Sequence, residues 1–271
     1  MNMPETIAAL LRELQARKPL VHHITNYVTV NDCANMALAV GASPVMADDA
    51  AEAADMVQYA SALVLNIGTL NSRTVESMLL AGKAARQRNI PVIFDPVGVG
   101  ATPLRTTTAE TIIRELGPAV IRGNMAEIKR IAGIDAAIRG VDSVADETDG
   151  EQVARELSQR LRCVVAVTGK VDIVARGQQL CRIYNGHSLL GRVTGTGCMA
   201  TSLIGCFCAA GNDWFCGTVA GIALMGLAGE QAQALLGKNE GTGSFRIRLF
   251  DAVSLMTPAG LQTGIRIEMA E

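Results

Sequence analysis

Aromatic side chains are scarce in this sequence: five Phe, three Tyr and one Trp among 271 residues. Single-stranded nucleic acids are bound by stacking bases on aromatic faces, and few such platforms exist here. A basic surplus is also missing. With 24 Lys and Arg against 26 Asp and Glu the net charge is −2, so counterion release offers little affinity for a phosphate backbone. Only 18% of residues are charged, too few for a charge-rich disordered chain. Mean hydropathy is +0.26, yet the uncharged stretch 214–229 runs for 16 residues and carries four Gly. That is short of the roughly 20 residues a spanning helix needs. The opening MNMPETIAALLRELQARKP reads as an amphipathic helix, not as a basic and apolar leader with a cleavage site. A soluble cytoplasmic protein with neither nucleic acid nor membrane as partner is expected. Seven cysteines form no CxxC and are odd in number, which predicts reduced thiols and neither a disulfide frame nor a zinc site. GxxxxGK[ST] and a strand-borne GxGxxG are both absent, so any nucleotide is held by another device.

What is present is small and aliphatic: 49% hydrophobic residues and 27 Gly. Short β-branched runs at 20–23, 62–66, 92–95, 119–122 and 164–168 alternate with helix-like segments at 31–40, 73–88, 109–116 and 152–161. Apolar runs bounded by polar turns are the signature of strands buried on both faces, which predicts an α/β fold with a mostly parallel sheet. The segments CVVAVTG, VDIVARG and QLCRIYNG predict an antiparallel extension at one edge. Beyond Thr194 the pattern is helical at 198–210, 215–236 and 243–256, and 214–229 is expected to be a buried helix. No linker or repeat divides the chain, so one domain over 1–271 is expected, with a loop at 142–150.

Five segments carry residues suited to chemistry at strand ends, turns or helix starts. In GRVTGTGCMATSLIGC, Gly195 and Gly197 precede a helical pattern, so main-chain N–H groups can converge there on an anion. Cys198, on the first turn, is expected to have its pKa lowered by the helix dipole. Cys163, Cys181, Cys206, Cys208 and Cys216 sit in apolar patterns and read as core. In FDPVGVGATPLR, Asp95 ends a strand where open α/β sheets bind ligands, although Asp-Pro also starts turns. In IRGNMAEIKRIAG, Asn124 and Glu127 read equally as a capping box and, with Arg122, as a site for Mg²⁺-phosphate. In VTGK, Thr168 either lines a nucleotide pocket or opens a hairpin. The N-terminal VHHITNYVTVNDCANMALAVGASPVM carries Asn26, and its GASPVM forms a turn and short strand ending at Met46 that could wall an apolar pocket. Adjacent His22 and His23 point to opposite strand faces, which argues against shared metal ligation.

Together PLVHHITNYVTVNDCANMALAVGASPVM, FDPVGVGAT, IRGNMAEI, VAVTGKVDIV and VTGTGCMATSLIGCF resemble, in order and spacing, the hydroxyethylthiazole kinases of the ribokinase-like superfamily, over Pro19 to about Phe250. The resemblance implies a three-layer sandwich without a separate lid domain. It implies ATP-dependent phosphorylation of the hydroxyl of 4-methyl-5-(2-hydroxyethyl)thiazole, with Mg²⁺. On that likeness Asp95 and Glu127 would hold Mg²⁺, and Arg122, Thr168 and Asn124 would face ATP. Met46, Gly195 and Asn26 would line the thiazole site, and Cys198 would stand where most ribokinase-like enzymes carry Asp. It further implies a homotrimer with active sites between subunits. A hydroxymethylpyrimidine kinase or hydrate dehydratase, a cysteine hydrolase using His22, His23 or His187, and a nucleotide sensor stay open as alternatives.

Overall fold

The computed structural model describes residues 2–133 and 143–270. In chain order the elements are α1 (Met3–Arg17), β1 (Leu20–Ile24), α2 (Val30–Val40), β2 (Ser43–Val45), α3 (Ala53–Met56), β3 (Ala62–Asn66), α4 (Ser72–Gln87), β4 (Val92–Asp95), α5 (Pro103–Leu116), β5 (Val120–Asn124), α6 (Met125–Ala132), α7 (Ser143–Leu161), β6 (Val164–Thr168), β7 (Asp172–Arg176), β8 (Gln179–Ile183), α8 (Thr196–Ala210), α9 (Trp214–Ala234), α10 (Thr242–Ser254), α11 (Pro258–Gly264) and β9 (Ile267–Ala270). The strands form one sheet in the order β2-β1-β3-β4-β5-β6-β7-β8-β9. Pairings from β2 through β6 are parallel, and those from β6 through β9 are antiparallel.

Two apolar layers sandwich the sheet. Along β6, Val164 and Ala166 join one buried cluster with residues of α1, α2, α8, α9 and α10, while Val165 and Val167 join the other with residues of α4, α5 and α7. β3, β4 and β5 likewise place successive residues in the two clusters, which is why these runs in the sequence are continuous and not alternating. α9 is buried from Phe215 through Gly229, as a helix that is apolar all round must be. Among the described residues no helix is long and apolar enough to cross a membrane. Glycine lets α9 approach α8 main chain to main chain: a β-carbon at Gly221 would fall 2.6 Å from the Ile204 nitrogen.

Two elements differ from expectation. Residues 143–150, read as a loop from their polarity, begin α7; Asp142 lies outside the described residues. Gly150 lies within this helix, and a β-carbon there would meet the Met125 methyl carbon at 2.5 Å, which favours glycine at that position. β9, unforeseen from the sequence, extends the sheet through the pairing of Cys181 with Met269. The antiparallel edge at β7 and β8 is as expected.

Candidate active site

Parallel strands bring their carboxyl ends to one edge, and polar residues collect there. Asn66 ends β3, Asp95 ends β4, Asn124 ends β5 and Thr168 ends β6, with Asn66 in register beside Asp95 and Asn124 beside Thr168. Asn26 lies two residues past β1.

Asp95 is fully buried. Its Oδ2 accepts hydrogen bonds from Asn66 Nδ2 at 2.9 Å and Thr201 Oγ1 at 2.8 Å, and Arg122 Nη1 stands 3.8 Å from the same oxygen. Burial raises its pKa to about 6, against the lowering effects of Arg122, Thr201 and Asn66, and the nearby Glu127 charge adds to the rise. Oδ1 has no hydrogen-bond partner. Such an orphaned buried oxygen is costly unless a cation or donor reaches it.

Glu127 is part of a capping box. Its Oε2 accepts from the Asn124 N–H at 2.8 Å, and Asn124 Oδ1 accepts from the Glu127 N–H at 3.0 Å. Its Oε1 accepts from the Gly98 N–H at 2.8 Å, tying α6 to the Gly98–Gly100 turn. The cap thus delivers a carboxylate close enough to Asp95 to disfavour its ionisation. Asp95 and Glu127 suit Mg²⁺, which takes one or two carboxylates and leaves its other positions to phosphate and water. Among the described residues no group of three His, Cys, Asp or Glu side chains forms a cage.

α8 opens at Gly195, whose φ of +85° lies in the left-handed region; a β-carbon there would also strike Thr29 Cγ2 at 2.4 Å. No side chain caps this helix. Its first N–H groups, lacking intrahelical acceptors, stay available to an anion. Cys198, half-buried, receives hydrogen bonds on Sγ from Asn26 Nδ2 at 3.2 Å and Asn66 Nδ2 at 3.3 Å. Its pKa is raised, not lowered as the helix position predicts. Burial is the main cause and the Asp95 charge the next, and together they outweigh donors from Thr29, Asn26 and Asn66.

Next to this cluster lies a cavity of about 530 Å³ lined by Arg122, Thr168, Lys170, Asp172, His187, Thr196 and Gly197, among others. Thr168 both lines the cavity and ends β6 ahead of the β6–β7 hairpin. Burial raises Asp172 to about 6 while its Oδ1 accepts the Gly169 N–H at 2.9 Å.

Seven of the nine expected site residues therefore share the sheet edge and α8 with Asp95: Asn26, Arg122, Asn124, Glu127, Thr168, Gly195 and Cys198. Met46 stands apart, following edge strand β2, three strands from β4, or about 14 Å at ~4.8 Å per strand. Asn66 and Thr201 were not singled out from sequence. Asn66 could have been, since it ends the buried run ALVLN as Asp95 ends VIFD; Thr201, inside an apolar helical pattern, gives no such signal. Of the three histidines, His187 Nδ1 accepts the Leu189 N–H at 3.2 Å. His22 and His23 bond the carbonyls of Ala47 and Val21. The hydrogen bonds to Cys198 come from amides and not from an imidazole, which disfavours the hydrolase. The other six cysteines are buried.

An uncapped helix start, a buried carboxylate and an arginine beside a cavity of about 530 Å³, on a sheet between two helical layers, fit a small-molecule kinase of the ribokinase-like fold. A Bacillus subtilis pyridoxal kinase shares that fold at TM-score 0.61 and 16% identity, over 79% of this chain and 92% of its own. The profile of the hydroxyethylthiazole kinase family matches residues 11–259, and the chain belongs to that family. It is similar to a hydroxyethylthiazole kinase of Clostridium beijerinckii, 52% identical over 93% of this chain and 92% of the relative. The structure of a hydroxyethylthiazole kinase from Pyrococcus horikoshii superposes at TM-score 0.90 with 36% identity, over 98% and 99% of the two chains.

Proposed function

We propose that this chain transfers the γ-phosphoryl group of ATP to the hydroxyl of 4-methyl-5-(2-hydroxyethyl)thiazole, supplying the thiazole phosphate from which thiamine phosphate is built. The observation that carries the reading is the alignment, at one sheet edge, of Cys198, the Asp95–Arg122 pair and the uncapped start of α8 beside the cavity. Family membership supports ATP as co-substrate. The triphosphate is assigned to the cavity, with Arg122 and Thr168 in its wall and Asn124 at the end of β5 beside Thr168. Asp95 and Glu127 would hold Mg²⁺, which when bound neutralises phosphate charge. The alcohol is assigned to the space between Cys198 and the phosphates, with Asn26 and Gly195 around the thiazole and Met46 serving the site of a neighbouring copy.

Phosphoryl transfer passes through a loose transition state, so positioning and charge neutralisation do most of the work. The alcohol oxygen forms the new P–O bond as the bond to the departing ADP oxygen breaks, and the alcohol proton goes to ionised Cys198. Arg122 and the α8 N–H groups stabilise charge on the transferred group. Burial and the Asp95 charge raise the pKa of the thiol, which makes its thiolate the stronger proton acceptor, and a late acceptor suffices because the alcohol proton becomes acidic only as the bond forms.

The reading treats 1–271 as one catalytic domain of a cytoplasmic enzyme and extends to a homotrimer. Exposed Tyr27, Val28, Leu38 and Ile247, on and beside α2 and α10, support a contact with a second copy near edge strand β2 and Met46. The test is kcat/KM with ATP and Mg²⁺ for the thiazole alcohol against a hydroxymethylpyrimidine. Preference for the pyrimidine would overturn the substrate assignment. Cys198→Ala should lower kcat about 100-fold, the lower end of general-base contributions, without changing ATP affinity, and Cys198→Asp should remain active.

A further inference from the structure

Asn66 takes no part in the steps above, yet its buried amide joins the two groups that matter most. Oδ1 accepts the Gly68 N–H at 2.9 Å and Asn26 Nδ2 at 3.0 Å. Nδ2 donates to Asp95 Oδ2 at 2.9 Å and to Cys198 Sγ at 3.3 Å. A main-chain N–H can only donate, so Gly68 decides which end of the amide is oxygen and turns the nitrogen toward Asp95 and Cys198. The Thr29 N–H, 3.2 Å from Asn26 Oδ1, sets Asn26 in the same way and turns its nitrogen toward the sulfur. Both amide orientations are thus dictated by backbone, and all four hydrogen-bonding capacities of Asn66 are used or faced. A fully connected buried network of this kind specifies one geometry.

We propose that Asn66 is a positioning residue that acts through Cys198: its amide fixes the sulfur relative to the Asp95 carboxylate, so that proton acceptor and phosphate-side carboxylate are held as one unit. The proposal rests on the reading of Cys198 as the proton acceptor. Asn66 touches neither phosphate nor alcohol in this role, and its effect is to keep Cys198 on the line of attack.

A double-mutant cycle tests this. Asn66→Ala should lower kcat by about tenfold or more, the effect of removing a hydrogen bond to a charged group, with KM for ATP within about twofold. In a Cys198→Ala background the same substitution should cost nothing further, because two residues acting as a unit are non-additive. A second readout is independent of turnover. Cys198 is half-buried while the other six thiols are buried, so iodoacetamide reports on it in the folded protein. Asn66→Asp, which keeps the acceptor for Gly68 and Asn26 but loses the donor to sulfur, should slow that alkylation about tenfold. Equal kcat losses in both backgrounds, a raised ATP KM with kcat unchanged, or alkylation of the folded variant at the wild-type rate would each overturn the proposal. Failure of both variants to fold, judged by melting, would make Asn66 structural and overturn it too. If the wild-type protein phosphorylates no thiazole, the functional reading fails, and the alkylation comparison still decides the role of Asn66.

Discussion

Gly197→Ala should leave the protein at least as stable and yet impair its use of ATP. A β-carbon at Gly197 would lie 2.9 Å from Arg122 Nη1 and 3.3 Å from Nη2, closer than atoms pack, so the guanidinium must move. Movement is easy because the clash is with the end of a flexible side chain. Gly197 sits in the first turn of α8, and alanine is favoured over glycine in helices by up to about 1 kcal/mol. The melting temperature should therefore stay level or rise by about 2 °C. Shifting Arg122 from its place 3.8 Å from Asp95 weakens the proposed charge-assisted contact to phosphate, worth up to about 1.5–3 kcal/mol. The expected result is a fall of roughly 10- to 100-fold in kcat/KM for ATP, read in a coupled ADP-release assay at saturating thiazole. An unchanged kcat/KM in a folded variant would refute the assignment of Arg122 to ATP.

Asp95, raised to about 6, must be ionised to face Mg²⁺, so kcat/KM should rise with pH through about 6, and a flat profile there would contradict its role. In the ligand-free protein the same raised pKa means that the folded state binds more protons than the unfolded one. Its contribution to stability is present below about 4 and is lost as pH rises toward 6. His23 has the opposite sign: burial lowers its pKa to about 4, so the unfolded state binds more protons as pH falls from 6.5. Stability should drop by roughly 3 kcal/mol over that window, and His23→Gln should flatten the loss in urea denaturation at pH 4.5. Arg105 donates to the carbonyls of Ile67 and Val97 through Nη1 and of Gly68 through Nη2, joining the loops after β3 and β4. Arg105→Ala should cost about 2–3 kcal/mol by leaving those carbonyls unpaired, measured as a lower urea midpoint with unchanged m-value.

The parallel core was legible because burial on both faces forces continuous apolar runs: the strands expected at 62–66, 92–95 and 164–168 are β3, β4 and β6 to the residue. Polar residues closing those runs marked Asp95 and Thr168 for the same reason. Asn66 closes one as well, but an amide announces less chemistry than a carboxylate, and its role emerges only when α8 lays Cys198 across the strand ends. β9 escaped notice because IEMA at a sheet edge is only partly buried and carries no apolar run. Residues 103–108 of α5, ahead of the expected 109–116, were missed because Pro103 suits a turn as well as a helix start. The direction of the Cys198 shift could not be read from chain order, since it depends on how far the sulfur is buried and how near Asp95 comes, both long-range consequences of packing.

The most direct test of the account is mass spectrometry of the purified protein's reaction with ATP, Mg²⁺ and 4-methyl-5-(2-hydroxyethyl)thiazole. The account predicts a thiazole carrying one phosphate on its hydroxyl, formed in step with ADP. Unphosphorylated thiazole together with intact ATP, or ADP released without a phosphorylated alcohol, would contradict it.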